Sequence, residues 1–367
     1  MSSVTIRKIR LENFKCHEEL EEELAGITVL AGENAAGKSS VIQAILLHNF
    51  ALDGDKARLN TYNVWGNNMG PAPELLSQNG KANNTNISLY INTDEFTVEL
   101  TPKEYDDTVM EIRKKVPGAF DQYNLFYLNA ERVAPQLANS ISSEGDQYVG
   151  IHGQNTVYVM NQMDILMKRP ENKRKKIPSI LKISRIGRFS ANVEEWLGLI
   201  IPGTKIETHA YPNQGIATIR YNNSGDTFYS PTATGFGISY VLPIIVQALI
   251  ASMQKNSVII VENPEAHLHP YSQSMVGRFL AYVAMTGTQV IVETHSEHFI
   301  NGCRLQLAKE EKCDLAKILF FSKSGEGLLH KAITLNDKGE LSDWPKGFFD
   351  QNQQDLRELL KLKLCKK

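Results

Sequence analysis

The strongest chemical pattern in this sequence is a glycine-rich loop at residues 32–40. It reads GENAAGKSS and fits the phosphate-loop pattern GxxxxGK[ST], between a short apolar strand and an apolar-faced helix. In such a loop, backbone N–H groups face phosphate oxygens, a lysine pairs with them, and a hydroxyl holds Mg²⁺. We therefore predict a site for a nucleoside triphosphate and Mg²⁺, with Ser39 as a metal ligand. The predicted binding residues are Gly32, Asn34, Ala35, Ala36, Gly37, Lys38, Ser39 and Ser40.

A second group of chemical residues follows two later strands. The segment SVIIVENPEAHLHP (257–270) begins as an apolar strand and ends in acids, and QVIVETHSEHF (289–299) places His295 just past another apolar strand. Ligands of parallel sheets bind at the carboxyl ends of the strands. We predict that Glu262 holds Mg²⁺ and that His295 senses or stabilises the γ-phosphate.

The elements that must position these residues alternate between strand and helix. Residues 1–50 indicate a strand, a hairpin, a strand, a loop and a helix, and ISLYINTDEFTVELT (87–101) returns to strand-like alternation after a loop-rich stretch. Residues 136–200 look largely helical. Later, apolar helices separate the strands SVIIVE, QVIVET and ILFFS, which is typical of a parallel sheet covered on both faces.

This order predicts an α/β fold that forms one domain over residues 1–367. Its core is a mixed or parallel sheet of the phosphate-loop NTPase type, with an N-terminal antiparallel β lobe and an inserted helical lobe. We place the N-terminal lobe at residues 1–135 and the inserted lobe at 136–235. The remaining core spans 236–335, and a C-terminal tail spans 336–367.

Composition and charge exclude several other classes. The chain has 367 residues, 42% of them hydrophobic, which is enough for a large core. A net charge of -2 gives no overall attraction to nucleic acid or to anionic lipid. The four cysteines have no zinc-ligand spacing, and no apolar run is long enough to span a membrane. We therefore expect a cytoplasmic protein with free thiols and no membrane contact.

Taken together, the motifs resemble the ABC-type ATPases of the RecF, SMC and OLD group. The resemblance covers nearly the whole chain and is strongest to stand-alone AAA-family ATPases of the AAA_15/AAA_21-like type. The segments that carry it are NFK (13–15), GENAAGKSS (32–40), YLNAERVAP (127–135), GFGISYVLPI (235–244), VENPEAHLHP (261–270), ETHSEHF (293–299) and WPKGFFDQ (344–351).

The resemblance implies that two copies of the chain close on ATP and Mg²⁺, as a homodimer or a larger even-numbered assembly. It implies that Lys15, together with Phe14, lies near the nucleotide. Each site would combine one phosphate loop with the partner's signature motif, whose residues here are Gly235, Gly237 and Ser239. This motif lacks the usual Ser-Gly-Gly-Gln run, and either Thr234 or Ser239 could supply the hydroxyl that meets the γ-phosphate.

A second departure from the family pattern concerns catalysis. Where ABC proteins carry a glutamate after the magnesium-binding acid, this chain has Asn263, and an amide cannot take a proton from water. Either Glu265 or His295 polarises the attacking water, or turnover is slow and ATP acts mainly as a clamp. We take Glu262, Glu265 and His295 as the catalytic residues of this ATPase.

The resemblance leaves two main functional readings open. The first is an ATP-driven switch that controls a separate effector, a nuclease or toxin, in prokaryotic defence against phage. Only 71 residues follow Ser296, which we judge too few for a nuclease domain of the OLD kind. The second is a RecF-like clamp that binds DNA during repair. A transporter subunit is disfavoured because the standard signature motif is missing.

One local charge cluster bears on this choice. The basic segment, residues 168–188, contains nine lysines and arginines and one acid, in a chain that is nearly neutral overall. It could contact a nucleic-acid backbone, or it could be a solvated or partner-binding surface. The sequence has no aromatic residues interleaved with these cations, so both readings stay open.

Overall fold

Two six-stranded sheets and a set of covering helices position the predicted site. The computed structural model describes residues 6–117, 123–141, 147–169, 175–222, 225, 227–324 and 327–364. The strands are β1 (Ile6–Phe14), β2 (His17–Glu23), β3 (Ile27–Gly32), β4 (Arg58–Asn60), β5 (Thr85–Ile91), β6 (Asp94–Lys103), β7 (Asp106–Lys115), β8 (Asn124–Leu128), β9 (Asn139–Ser140), β10 (Lys205–Tyr211), β11 (Ile216–Asn222), β12 (Ser257–Glu262), β13 (Gln289–Glu293), β14 (Ala316–Ser324) and β15 (Gly327–Thr334). The helices are α1 (Lys38–Leu52), α2 (Thr156–Met167), α3 (Phe189–Ile200), α4 (Phe236–Ser252), α5 (Pro270–Met285), α6 (Glu297–Lys309) and α7 (Gln351–Leu364).

The core sheet has the order β15-β14-β3-β13-β12-β8. All of its neighbouring strands pair in parallel except β14 and β15. The runs ITVLA in β3 and VIIV in β12 are buried on both faces, and alternate residues enter two different hydrophobic clusters. Because β3, β12 and β13 are neighbours, the segments that follow them meet at one edge. The predicted α/β fold is confirmed.

The N-terminal lobe is an antiparallel sheet with the order β2-β1-β5-β6-β7-β4. In β1 the apolar residues Ile9 and Leu11 are fully buried, and the polar residues between them are more exposed. This alternation buries one face of the sheet against α1 and exposes the other. The predicted antiparallel lobe is confirmed.

The inserted lobe is less helical than we predicted. In the described part of residues 136–200, the α-helices cover only 156–167 and 189–200, and 175–188 contains just a short 3-10 turn at Ser179–Leu181. Pro178 begins this turn, and a proline disfavours a helical conformation at the residue before it. The three-stranded sheet β10-β11-β9 completes the lobe.

The described residues bear on two further expectations. None of their helices combines the length and the apolar character that crossing a membrane requires. Cys16, Cys303 and Cys313 are free thiols, as predicted, whereas Cys365 lies outside the described residues. The structure adds α7, which we had assigned only to a C-terminal tail.

Candidate active site

The phosphate loop lies where β3 passes into α1. Gly32 has a φ of +132°, and a Cβ there would lie 1.9 Å from the carbonyl oxygen of Phe321, so the position requires glycine. Gly37, with a φ of +94°, ends the loop. The Lys38 ammonium donates hydrogen bonds to the carbonyl oxygens of Gly32 at 3.0 Å and Glu33 at 2.6 Å. These hydrogen bonds hold the side chain at the loop backbone, and burial lowers the pKa of Lys38.

Two acidic residues end the neighbouring strands β12 and β13, and one of them contacts the start of α1. Glu262 and Glu293 are register partners on these parallel strands. The Ser39 hydroxyl donates to Glu293 Oε1 at 3.0 Å, and the Tyr127 hydroxyl donates to Glu262 Oε1 at 3.0 Å. Burial and then the charge of Glu262 raise the pKa of Glu293 to about 7, and burial also raises the pKa of Glu262. The structure thus gathers Ser39 and Glu262 at one edge and adds Glu293 to them.

Glu293 was missed in the sequence, although a signal for it was present. It ends a buried parallel strand, just as Glu262 does. The strand-end rule that selects Glu262 selects Glu293 equally well. From this segment the sequence analysis selected His295, two residues further on, and not Glu293.

Glu265 is bound to the segment that follows β13. Its Oε2 accepts a hydrogen bond from the Thr294 hydroxyl at 2.7 Å, and its Oε1 accepts one from the backbone N–H of His295 at 2.6 Å. Burial raises the pKa of Glu265. His295 is exposed on one side. Its partial burial and, second, the charge of Lys38 lower the pKa of its imidazole. The Glu265 carboxylate therefore lies against the backbone of the residue that carries the imidazole, and each of the two groups is of a type that can take a proton from water.

A buried arginine that the sequence reading did not select holds the turn after β12. Arg132 is 4% exposed, and its guanidinium donates to the carbonyl oxygens of Glu262 at 2.8 Å and of Asn263. Asn263 has a φ of +44°, a left-handed conformation that asparagine tolerates well. The guanidinium lies 5.4 Å from the ring centroid of Tyr240, which is 4.5 Å from the ring of His267. Arg132 therefore links this turn to α4.

The N-terminus of α4 carries the predicted signature residues. Gly235 is the N-cap of this helix and is exposed. Gly237 packs against the turn after β12, where an added Cβ would lie 2.9 Å from the carbonyl oxygen of His267. The first turn of the helix contains no acidic side chain. The positive end of the helix dipole is thus open to solvent next to the turn after β12.

Both hydroxyls that we considered for the signature motif have partners within the chain. The Thr234 hydroxyl donates to the carbonyl oxygen of Pro231 at 2.9 Å. Ser239 is hydrogen-bonded to the buried Tyr221 hydroxyl. The assignment of Thr234 or Ser239 as a phosphate contact stays a prediction.

A cleft of about 610 Å³ opens beside the phosphate loop. Lys15, at the tip of the hairpin between β1 and β2, lines it, and the Lys15 ammonium donates to the carbonyl oxygen of Met69 at 3.3 Å. Phe14, in contrast, is fully buried in the core of the N-terminal lobe. The His17 ring contacts the carbonyl oxygen of Gly37 at 3.1 Å. Further lining residues are Cys16, His17, Ala35, Ser77 and His330.

The described part of the basic segment is an exposed surface of mixed character. Residues 170–174, which include Lys173 and Arg174, lie outside the described residues. The exposed cations are Lys168, Arg169, Lys175, Lys176, Lys182, Arg185 and Arg188. Between them lie the exposed isoleucines Ile180, Ile183 and Ile186. Because apolar side chains accompany the cations, this surface suits a protein partner as well as a phosphate backbone.

Two family models match the sequence of this chain. Residues 27–301 match the family described as "AAA domain, putative AbiEii toxin, Type IV TA system". The chain belongs to this family. The match includes the phosphate loop, Glu262, Glu265 and His295. Residues 313–359 match a family of proteins of unknown function, DUF3696.

Two relatives of known name are similar to this chain in sequence. The Old nuclease of Escherichia phage P2 is 22% identical over an alignment 399 positions long, which covers 92% of this chain and 66% of the nuclease. The DNA double-strand break repair Rad50 ATPase of Sulfolobus acidocaldarius is 32% identical over 111 residues, which cover 30% of this chain and 11% of that protein. The chain thus spans less than two thirds of either relative.

Solved structures confirm the fold. The Smc head domain of Pyrococcus furiosus, with an extended coiled coil and bound to the C-terminal domain of ScpA, is 16% identical with a TM-score of 0.57. The match covers 97% of this chain and 99% of that one. A second Smc head, bound to the C-winged helix domain of ScpA, is 15% identical with a TM-score of 0.56, over 91% of this chain and 98% of that one. The family match, the likeness to the Old nuclease and to Rad50, and this fold together place the chain among the ABC-type ATPases of the RecF, SMC and OLD group.

Proposed function

We propose that this chain is an ATP-hydrolysing switch that closes on ATP between two copies of itself and controls a separate effector, a nuclease or a toxin. The observation that carries the proposal is the convergence of the phosphate loop, Glu262, Glu265 and His295 at one edge of the core sheet. This edge combines a phosphate cradle, an acid for a metal ion and groups that can polarise water.

ATP and Mg²⁺ fit the residues present. Lys38 is the phosphate cation, and Ser39 with Glu262 would hold the metal. A buried carboxylate oxygen, Glu293 Oε2, has no hydrogen-bond partner at this edge, as expected where a cation belongs. Bound Mg²⁺ would offset the negative charge that the phosphate oxygens carry. Glu265, oriented by Thr294 and the backbone of His295, would take the proton of the attacking water.

The exposed N-terminus of α4 supports closure between two copies. Its N-cap Gly235 and the neighbouring Phe236, which is 50% exposed, present backbone N–H groups and an apolar ring to solvent. A helix N-terminus is a natural anion site. In a homodimer or a larger even-numbered assembly, each helix would meet the γ-phosphate held by the partner's phosphate loop.

We place the switch in prokaryotic defence against phage. The family description refers to a toxin and a toxin–antitoxin system, and the Old nuclease is a relative across nearly the whole chain. In this proposal the chain senses a signal and ATP-driven closure changes its contact with the effector. The exposed isoleucines of the basic segment offer a surface for that contact.

The second candidate is a DNA clamp of RecF type that acts in repair. The likeness to Rad50 and the exposed cations of the basic segment favour it. A clamp neutralises phosphates, so its affinity for DNA must fall steeply with salt concentration. This salt dependence separates the two candidates.

Both candidate functions require ATP-dependent association of two copies and ATP hydrolysis, which light scattering and turnover measurements test. With Mg²⁺ and ATP, the wild-type mass should double, whereas Lys38→Ala should stay at its starting mass and lose at least about 100-fold in turnover. Lys255→Ala, which removes an exposed lysine elsewhere, serves as the matched control. Turnover and mass that are the same in Lys38→Ala and wild type would refute the assignment of the phosphate loop.

Charge reversal in the basic segment then separates the candidates. The double variant Lys182→Glu and Arg185→Glu should leave ATP turnover unchanged, and Lys255→Glu with Lys338→Glu is the control pair. If the chain is a clamp, fluorescence anisotropy will show salt-sensitive binding of duplex DNA that only the first pair abolishes. The switch proposal predicts that wild type and both variants show the same weak DNA binding.

A further inference from the structure

The side chain of Glu293 occupies a position that a hydrogen bond to Ser39 does not fully explain. Its Oε1 accepts from the Ser39 hydroxyl at 3.0 Å, but its Oε2 is buried and has no partner. Glu293 itself is only 7% exposed, so water cannot readily satisfy the second oxygen. An unpaired buried carboxylate oxygen is costly and therefore indicates a missing cation or donor.

A second acid lies beside Glu293, and no lysine is hydrogen-bonded to either acid among the described residues. Glu262 is the register partner of Glu293 on β12, and adjacent strands lie about 4.8 Å apart, so the two acids are side by side. The nearest lysine does not pair with them, because the hydrogen bonds of Lys38 go to the carbonyl oxygens of Gly32 and Glu33. Two buried acids without a hydrogen-bonded cation favour a divalent metal ion between them.

The chemistry of the donor set matches Mg²⁺ in particular. A hydroxyl and two carboxylates are hard oxygen donors, and they come from three elements, α1, β12 and β13, that the core sheet holds together. Mg²⁺ binds such sites through one or two carboxylates and fills its other positions with water and phosphate oxygens. Three protein oxygens leave room for both.

We propose that Glu293 is a ligand of the Mg²⁺ that accompanies ATP, together with Ser39 and Glu262. This inference rests on the proposed function, because it adds a ligand to that metal site. It also gives the hydrogen bond from Ser39 to Glu293 a role, since the bond holds the Ser39 oxygen beside the carboxylate that would share the metal ion with it.

Direct metal binding tests this assignment without relying on turnover. Mn²⁺ can replace Mg²⁺ and is followed by electron paramagnetic resonance as it is titrated into the protein with ADP. Glu293→Gln should weaken ADP-dependent Mn²⁺ binding by at least about tenfold. Glu297→Gln, which alters an acid four residues away whose side chain accepts a hydrogen bond from Asn301, should leave it unchanged. Fluorescent ADP binding in excess chelator, which needs a folded phosphate loop but no metal, should be the same in all three proteins.

The outcomes separate the inference from the proposed function. Equal Mn²⁺ affinity in wild type and Glu293→Gln would overturn the ligand assignment while leaving nucleotide binding intact. Absence of ADP binding in the wild type would refute the proposed function itself, and the inference with it. If Glu293→Gln loses ADP binding in chelator, Glu293→Asp decides, because it keeps the carboxylate. Recovery of ADP binding together with Mn²⁺ affinity above that of Glu293→Gln supports a role as ligand, whereas recovery of ADP binding alone, or of neither, refutes it.

Discussion

The substitution Glu265→Gln separates the chemical role of this side chain from its structural role. Glutamine has nearly the same shape, so its carbonyl oxygen can still accept from the backbone N–H of His295, as Glu265 Oε1 does at 2.6 Å. Its NH₂ group would face the Thr294 hydroxyl, now 2.7 Å from Oε2, which can rotate to accept instead of donating. We therefore expect the fold and the nucleotide affinity to be retained.

The expected loss lies in the chemical step. A positioned general base contributes about 10²-fold to 10⁴-fold, which corresponds to about 3 to 5 kcal/mol in the activation free energy. An amide cannot take a proton from water, and Asn263 is already an amide. If Glu265 is the base, Asn263 therefore cannot replace it. Turnover of Glu265→Gln should thus fall by at least about 100-fold.

Single-turnover hydrolysis of radiolabelled ATP by excess enzyme measures this step directly. ATP affinity and ATP-dependent mass, measured on the same samples, should match those of the wild type, and the larger assembly should persist because ATP is not consumed. Glu297→Gln is the matched control and should hydrolyse ATP at the wild-type rate. A rate for Glu265→Gln within about threefold of the wild type would refute Glu265 as the base and favour His295.

Two further substitutions test the fold that supports the site. His48 is fully buried, with one ring nitrogen 2.7 Å from the carbonyl oxygen of Phe96, and burial lowers its pKa from 6.5 to about 4. Between pH 6.5 and about 4, His48 binds a proton in the unfolded chain but not in the folded chain. Acidification through this range should therefore lower the free energy of unfolding of the wild type by about 3 kcal/mol more than that of His48→Gln. Urea unfolding at several pH values measures this, and parallel pH curves for the two proteins would contradict it. Gly32→Ala should cost more than about 3 kcal/mol because its Cβ would overlap the Phe321 carbonyl, whereas Gly54→Ala, with open space around it, should cost only about 1 kcal/mol. Equal midpoints in thermal unfolding would show that Gly32 is not so constrained.

Some parts of this site could be predicted from short continuous stretches of the sequence. The phosphate loop needs only its own backbone, a strand before it and a helix after it, so its pattern could be recognised from residues 32–40 alone. Glu262 follows from the rule that strand ends carry ligands, and the α/β alternation predicted the core sheet. Among the described residues, the largely helical expectation for residues 136–200 held only for 156–167 and 189–200, and Pro178 begins the short 3-10 turn that lies between these helices.

Other parts were decided only by tertiary structure. Ser39 and Glu293 are 254 residues apart in the chain, and Arg132 lies 131 residues from the turn that it holds. The sequence alone determined that a phosphate loop, strand-end acids and a histidine exist. It could not determine which of them meet, because the core sheet places β3 beside β13 and β13 beside β12, an order unrelated to their order in the chain. Hydrogen bonds and burial act between neighbours in space, so only the tertiary structure shows which of these side chains are paired.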